Sequence, residues 1–352
     1  MYVITISNSH NVSPPNSANT DFYVSGPLIK DKLGLQVYGG LNYRREDKLL
    51  EGTPRKDDKN ITAKLAFTPI EGQKFLAEVG RSTQEHTSTP GKSIDETTTR
   101  GGIVQKNNKS EVHNNRNHWA LTWKGDWDEI NSEVSVYQEN TIRKTNTGKW
   151  NKVSEDWVMA YEARQPEVTN TVVDGKVTAF LPSNVLTVGG QYQYAKLKDD
   201  SVIKNKQTVT EKMTAEQKAL FVEDEFSVTD DLTLTGGLRM DKDENFGTHW
   251  TPRVYGVWHL DESWTVKGGV STGYRSPDLR QATASWGQVT GGGSLNGVIF
   301  GNPDLKPEKS VTEEISVLWN NQDNLNMSLT VFNTDFKDKI TEIRRCGTGT
   351  DT

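Results

Sequence analysis

Residues 264–275 read WTVKGGVSTGYR, and residues 232–241 read LTLTGGLRMD. In the first stretch every second position is apolar, small or aromatic, from Trp264 through Val270 to Tyr274, and the positions between them are polar or glycine. This period of two predicts a β-strand with one apolar and one polar face. Ten such residues, tilted by about 45°, rise roughly 23 Å, which matches the apolar band of an outer-membrane barrel. One face is therefore predicted to contact lipid, and the other a wet lumen.

The overall composition permits a barrel and excludes membrane-spanning helices. Of 352 residues, 33% are hydrophobic and 25% are charged, and the mean hydropathy is -0.70. No run approaches the roughly 18 apolar residues of a transmembrane helix, whereas a transmembrane strand needs only one apolar residue in two. The 10 Trp, 10 Tyr and 10 Phe in regular alternation argue against disorder. A net charge of -6 gives no reason to expect nucleic acid as a partner.

The same alternation recurs from Asp21 to the end of the chain, in about 14 predicted strands. Residues 1–20 are rich in Asn, Ser and Pro and show no period, so they are predicted to be an irregular N-terminal segment before a barrel unit at 21–352. Short turns alternate with longer polar loops, which are predicted at 46–59, 86–113, 143–165, 199–215, 242–249 and 275–309.

This alternation of connections predicts the topology. In an up-and-down meander it places every short turn on one rim and every long loop on the other. The fold class is therefore predicted as all-β, an antiparallel up-and-down transmembrane β-barrel. A β-propeller is disfavoured, because its connections do not alternate in this way and no blade repeat of about 40 to 50 residues is present.

Enzyme motifs do not fit this framework. Residues 269–273 match the nucleophile-elbow pattern of serine hydrolases, but that elbow needs a strand followed at once by a helix, and here the strand alternation continues to Tyr274. We predict no catalytic residues, no metal site and no resident cofactor. An outer-membrane enzyme stays open as an alternative, although the chain has only 6 His.

One predicted loop carries a more specific pair of motifs. A strand ends at Tyr274-Arg275-Ser276-Pro277, a Gly-rich loop follows, and residues 301–309 read GNPDLKPEK. The pairing resembles the barrel of TonB-dependent outer-membrane receptors, in which Gly-aromatic-Lys/Arg-x-Pro precedes an extracellular loop and an Asn-Pro-x-Leu-Lys-Pro-Glu box. Residues 22–35, 119–126, 221–241 and 250–253 extend the likeness, over about 21–345, to the catecholate-siderophore branch, the ferric enterobactin and colicin I receptors.

The resemblance implies a receptor of the bacterial outer membrane that imports a ferric siderophore, a catecholate, as its transported ligand. The TonB–ExbB–ExbD complex would supply the energy through an N-terminal plug domain. The other implied partners are outer-membrane lipid and the colicins or phages that exploit such loops. Such a barrel has about 22 strands. Because the plug, a signal peptide and the last strands are not found in this sequence, we expect a partial barrel that does not transport by itself.

The predicted ligand site lies on the long-loop rim. The five longest predicted loops have a small net positive charge, although the whole chain is negative. This bias suits an anionic ligand, and the residues predicted to pair or stack with catecholate groups are Arg143, Trp150, Arg275, Arg280 and Trp286.

Several alternatives stay open at this point. The five residues of the predicted site could be rim anchors, the ligand could be haem or cobalamin, and a passive porin would share the strands. Cys346 is the single cysteine and makes no intrachain disulfide, so it is either a free thiol or the partner of a residue outside this sequence.

Overall fold

The computed structural model describes residues 3–11, 17–100, 103–161, 165–204, 207–290 and 297–342. Cys346 lies outside these residues. Within them, no helix has the length and apolar character needed to cross a membrane. The strands of the described residues, numbered in chain order, are β1 (Val3–Asn11), β2 (Ser17–Ile29), β3 (Leu33–Arg44), β4 (Arg55–Phe67), β5 (Gln73–Ser88), β6 (Thr97–Arg100), β7 (Ile103–Lys106), β8 (Lys109–Asp126), β9 (Ile130–Asn151), β10 (Asp156–Tyr161), β11 (Glu167–Phe180), β12 (Asn184–Lys204), β13 (Gln207–Ser227), β14 (Leu232–Asp243), β15 (Gly247–His259), β16 (Trp264–Arg275), β17 (Gly287–Thr290), β18 (Gly297–Phe300), β19 (Glu308–Asn320) and β20 (Asn326–Lys337).

A single antiparallel sheet forms the wall of the molecule. Its strand order is β1-β2-β3-β4-β5-β8-β9-β11-β12-β13-β14-β15-β16-β19-β20, and β10 pairs with β9. Hairpins β6–β7 and β17–β18 form two separate small sheets within the connections. Within the described residues β1 pairs only with β2 and β20 only with β19, so the sheet is not closed. This arrangement confirms the predicted all-β, up-and-down, partial barrel.

The rim of short turns is confirmed as well. Asp31 (φ 59°), Asp128 (φ 65°) and Gly72 (φ 73°) each occupy a turn between adjacent wall strands in the left-handed region. Asp and Gly adopt this conformation more readily than most residues, which is why they serve in tight hairpin connections. The turn at 229–231 is closed in another way, because the backbone N–H of Leu232 bonds to the hydroxyl of Thr229 at 3.1 Å.

Aromatic pairs mark the lipid-facing surface close to these turns. The rings of Phe67 and Phe75 lie directly across β4 and β5 with centroids 6.4 Å apart, and those of Trp264 and Trp319 lie across β16 and β19 at 6.2 Å. Further along the wall the same face carries aliphatic residues that no other part of the chain covers, such as Val254, which is 61% exposed. An aromatic girdle beside an uncovered apolar band is the surface that a barrel presents to lipid.

The opposite rim differs from the sequence prediction. Residues 143–165, 199–215 and 242–249 were predicted as loops, but β9 continues to Asn151, β12 and β13 continue to Lys204 and Gln207, and β14 ends only at Asp243. The prediction is wrong for the parts of these ranges that lie in strands, whereas residues 152–155 and 244–246 are turns, as predicted. Strands that extend beyond the lipid band have no face in contact with hydrocarbon, so they keep the backbone ladder without the regular apolar alternation that reveals a strand in the sequence.

The N-terminal segment also departs from the prediction. Residues 1–20 were expected to be irregular, but β1 pairs with β2 from Val3 opposite Ser25 to Asn11 opposite Ser17. The backbone hydrogen bonds with β2 hold this segment as a strand, although its sequence lacks a regular apolar alternation. The sheet therefore has 16 strands against about 14 expected, and β1 and β10 account for the difference.

Candidate functional site

The polar face of the wall, which lines the lumen, is crossed by ion pairs between neighbouring strands. Glu78 on β5 contacts Lys64 of β4 at 2.8 Å and His118 of β8 at 3.0 Å. On the next pair of strands, Arg116 of β8 contacts Glu139 of β9 at 2.6 Å. Lys64 and Glu78 are directly opposed in the ladder, and the other two pairs join diagonal positions. Opposite charges at such neighbouring positions stabilise a sheet face. This part of the lumen is thus hydrophilic, with each of these charges already paired within the wall.

A second polar network lies further round the lumen, on β12 to β14. Arg239 Nε donates to Asp241 at 3.0 Å and Arg239 Nη2 donates to the side-chain oxygen of Gln191 at 3.0 Å. Gln217 Nε2 donates to the same buried Asp241 at 3.0 Å. A buried carboxylate needs several donors of this kind to offset its loss of water.

The connection between β16 and β19, residues 276–307, folds back onto the lumen face of the β12–β13 hairpin. Trp286 of this connection is 6% exposed and forms a buried cluster with Leu197 of β12 and Met213 of β13. Leu279 and Ile299 pack against the cluster from the connection itself. Burial of these apolar side chains holds the connection on the hairpin, since each fully buried one contributes about 1.5–3 kcal/mol.

A carboxylate lies at the centre of this contact. Asp199 of β12 is 0% exposed, and its Oδ2 accepts hydrogen bonds from Arg280 Nε at 2.9 Å and Trp286 Nε1 at 3.2 Å. The guanidinium carbon of Arg280 is also 5.9 Å from the centroid of the Trp286 ring. Beside this group, Ser285 Oγ donates to Glu211 Oε2 of β13 at 3.1 Å. Three residues of the connection therefore bond to two acids of the hairpin.

The connection is closed on itself by a tight backbone contact. The N–H of Gly301 bonds to the carbonyl of Trp286 at 3.2 Å, and the N–H of Asn302 bonds to the carbonyl of Gln281 at 2.6 Å. A methyl group at Gly301 would collide with the backbone carbonyl oxygens of Arg280 and Thr283. Only a glycine lets the two ends of the segment approach this closely.

The root of the connection is fixed as well. Ser276 Oγ donates to Asp243 Oδ2 at the end of β14 at 2.7 Å, and it also bonds to the hydroxyl of Tyr274 at 2.8 Å. The ring of Tyr274 stacks on His249 of β15 with centroids 4.3 Å apart. These contacts fix the backbone immediately before Pro277, where the connection begins.

Of the five residues predicted as the ligand site, the structure brings Arg280 and Trp286 together. Arg275 instead pairs with Glu308 at 3.2 Å, and its side chain is 71% exposed. Trp150 lies on β9 with its ring 5.4 Å from that of Trp157 on β10. Arg143, also on β9, is exposed and forms no ion pair with a described residue. These three residues lie on the same rim but on other elements.

The sequence prediction missed the two acids of the hairpin to which the connection bonds. Asp199 and Glu211 fall in the stretch 199–215 that was interpreted as a solvated loop. A strand interpretation would have placed both on the face of Leu197 and Met213, because all four positions are odd-numbered in one continuous ladder. The spacing was available, but the surrounding polar residues obscured it.

Two other rim connections are joined to each other. Glu46 Oε1 accepts hydrogen bonds from Ser93 Oγ at 2.6 Å and from the backbone N–H of Thr89. In the connection between β3 and β4, the backbone N–H of Thr53 donates to Asp47 at 2.8 Å. This hydrogen bond, aided by the Arg44 guanidinium, lowers the pKa of Asp47 below its ordinary value. The rim connections are thus structured by their own polar contacts.

Among the residues that the structure describes, no three His, Cys, Asp or Glu side chains are grouped so that they could hold a metal ion. The candidate site consists of Arg and Trp side chains on the rim, and two of them, Arg280 and Trp286, donate hydrogen bonds to the buried Asp199.

Comparison with known proteins gives a consistent result. The family described as "TonB dependent receptor-like, beta-barrel" matches residues 42–352. The "Iron-regulated outer membrane virulence protein" of Vibrio cholerae is 37% identical over 327 residues, which cover 92% of this chain and 46% of that protein. The "Ferrienterobactin receptor" of Escherichia coli is 24% identical over 91% of this chain and 48% of its own length.

A solved structure shows the same fold. The crystal structure of the siderophore receptor PirA from Acinetobacter baumannii superposes with a TM-score of 0.75 at 25% identity. The match covers 96% of this chain and 52% of that one. The chain thus spans about half the length of the relatives that it matches.

Proposed function

The chain belongs to the TonB-dependent receptor β-barrel family of the outer membrane, and on this basis we propose that it forms part of a receptor that captures and imports a ferric siderophore. The family is one of transport receptors, not enzymes. The observation that carries the proposal is the connection 276–307, which leaves one wall strand after an Arg-x-Pro motif and packs against the lumen face of another hairpin. A passive porin does not explain this connection together with the family match.

We propose a catecholate as the ligand class. Ferric catecholates expose anionic oxygens and aromatic rings, and Arg and Trp side chains are suited to bind both. Arg280 is the central residue of the proposed site, and the buried Trp286 supports it from the hydrophobic cluster instead of stacking on the ligand. Arg143, Trp150 and Arg275 supply further contacts from the rim. The similarity to a protein named as a ferrienterobactin receptor supports this choice over haem or cobalamin.

Energy for import would come from the TonB–ExbB–ExbD complex through a plug domain inside the barrel, as the family membership suggests. The lumen wall supports this arrangement because it carries polar and charged side chains, several of them in contacts between strands, and so offers a hydrophilic surface to a plug. Colicins or phages are proposed as further partners of the rim on the basis of the sequence resemblance.

Uptake measurements test the proposal. The full-length receptor that contains this barrel is expressed in an iron-limited strain that lacks its own siderophore receptors. We expect TonB-dependent uptake of radioactive iron from ferric enterobactin, and little from haem or a hydroxamate complex. Uptake that persists without TonB would favour a porin, and uptake of haem or cobalamin alone would overturn the ligand class.

A further inference from the structure

Arg280 is held by one edge of its guanidinium. Its Nε donates to Asp199 at 2.9 Å, while Nη1 and Nη2 donate to no acceptor within the part of the chain that the structure describes. The Arg280 side chain is 33% exposed, although Asp199 is fully enclosed. The contact therefore fixes the guanidinium and leaves its terminal nitrogens available.

Trp286 lies beside the same guanidinium and shares its acceptor. Its ring lies 5.9 Å from the Arg280 guanidinium carbon, and its Nε1 donates to the same oxygen, Asp199 Oδ2, at 3.2 Å. One buried oxygen thus sets the positions of both a cation and an aromatic ring. An arginine whose orientation is already set loses less entropy when it forms two parallel bonds to an anion.

We propose that Asp199 is a positioning residue for anion capture, which holds Arg280 by Nε so that both terminal nitrogens face one anionic group of the ligand. The group would carry two neighbouring oxygens, as an iron-bound catecholate does, because the terminal nitrogens of a guanidinium match such a pair. This inference rests on the proposed siderophore-receptor function and adds a residue that does not itself contact the ligand.

The direction in which Asp199→Asn changes the affinity for an anion distinguishes a positioning role from a purely electrostatic one. Asp199 partly cancels the positive charge of Arg280, so on charge alone Asp199→Asn would strengthen binding of an anion. If Asp199 acts by orientation, the same substitution weakens binding because Arg280 then samples other rotamers. The two roles therefore predict opposite changes in affinity.

The affinity test uses the purified full-length receptor and the quenching of its tryptophan fluorescence by ferric enterobactin. We expect Asp199→Asn and Arg280→Gln each to weaken binding about tenfold, as the loss of one charge-assisted contact does. The double variant should bind no more weakly than Arg280→Gln alone, since Asp199 acts through Arg280. Glu211→Gln, which loses the contact with Ser285 and not with Arg280, is the matched control and should change affinity by less than about threefold.

Several outcomes would overturn the proposal. The first is tighter or unchanged binding of ferric enterobactin by Asp199→Asn. The second is an additive loss of affinity in the double variant. Either result would indicate that Asp199 only anchors the connection. If Asp199→Asn fails to fold, Arg280→Lys replaces it, because lysine keeps the charge and removes the edge that Asp199 holds. Unchanged affinity in Arg280→Lys would contradict the proposal.

A second measurement does not depend on the siderophore. Phenylglyoxal reacts with the terminal nitrogens of a free guanidinium, and peptide mass spectrometry identifies the modified arginine. We expect labelling of Arg280 in the wild-type receptor and protection by ferric enterobactin. An unlabelled Arg280 overturns the positioning role whatever the ligand is. If Arg280 is labelled but ferric enterobactin does not bind, the proposed ligand is wrong, while the accessibility of the terminal nitrogens of Arg280 is confirmed.

Discussion

Asp199 on β12 and Glu211 on β13 lie directly opposite each other on the lumen face of their hairpin. Like charges at opposed positions destabilise a sheet, and Asp199 is fully buried, which increases the cost. The connection 276–307 brings Arg280 and Trp286 to Asp199 and Ser285 to Glu211. The connection therefore supplies donors to both acids, in addition to the apolar contacts beside them.

The first prediction compares Arg280 of the connection with Arg275, the last residue of β16. Arg280→Leu should destabilise the docked connection by about 1–3 kcal/mol, because it removes a charged donor from a buried carboxylate. Arg275→Leu should cost about 0–1 kcal/mol, since its pair with Glu308 is largely exposed. Hydrogen exchange of the peptide that covers residues 279–286 in the full-length receptor measures the difference. Equal protection in the two variants would show that apolar packing alone holds the connection.

A second prediction concerns the tight contact at Gly301. Gly301→Ala should displace the carbonyl groups of Arg280 and Thr283 and loosen the connection, while barrel assembly stays intact. Gly236→Ala is the control, because a methyl group there meets no atom within 4 Å. Limited proteolysis of the folded receptors should cut the connection faster in Gly301→Ala alone. Identical cleavage of both variants would contradict the close approach.

The third prediction tests which face of β16 contacts lipid. Val270→Arg should impair assembly, because a charged side chain near the middle of the lipid face costs about 2–4 kcal/mol. Ser271→Arg should assemble, since its side chain points into the wet lumen. Ser271 lies opposite Arg253 on β15, so Ser271→Gln serves as an uncharged control for repulsion. Heat-modifiable migration of the full-length receptor reports assembly, and equal yields of the two arginine variants would reverse the assigned faces.

A fourth prediction is the pH dependence of the connection between β3 and β4. The folded pKa of Asp47 is lowered from its ordinary 3.8, first by the Thr53 N–H. A lowered pKa means that this stabilisation is present above about pH 4 and is lost as pH falls through the folded pKa. Protection of the Thr53 amide, corrected for intrinsic exchange, should therefore decrease below pH 4. Asp47→Asn should show no such step, and a step that persists in this variant would assign the effect to another group.

The sequence predicts the wall well because lipid imposes a simple rule on it. Val270, Leu234 and Val254 must be apolar where they meet hydrocarbon, and their neighbours need not be, so the strand period is visible. No such rule acts on Asp199 and Glu211. They lie on a ladder that extends beyond the lipid band, where a polar strand and a polar loop have similar compositions.

The same reasoning explains what was right and wrong about the candidate site. Arg280 and Trp286 were chosen as ligand-binding residues of a Gly-rich loop. The structure buries Trp286 and joins it to Arg280, because Asp199, distant in the sequence, accepts hydrogen bonds from both. Such a contact depends on tertiary structure and leaves no local pattern. Arg275 was predicted from its motif, and the structure adds its partner Glu308 from the second motif of the same connection.

The last prediction is the removal of residues 281–297 from the connection. The wall strands keep their ladders in this variant, and connections on a scaffold tolerate changes of length, so the barrel should still reach the outer membrane. The deletion removes Ser285 and Trp286, so Leu197 and Met213 lose their apolar cover and the opposed acids lose two donors. We therefore expect two effects, a sharp loss of siderophore binding and increased hydrogen exchange at the tip of the β12–β13 hairpin. Trp150→Ala is the control, because this ring is half-exposed on β9 and its loss should leave the tip of the hairpin unchanged. A deletion variant that binds ferric catecholates with unchanged affinity would show that the connection takes no part in capture, even if the hairpin loosens as predicted.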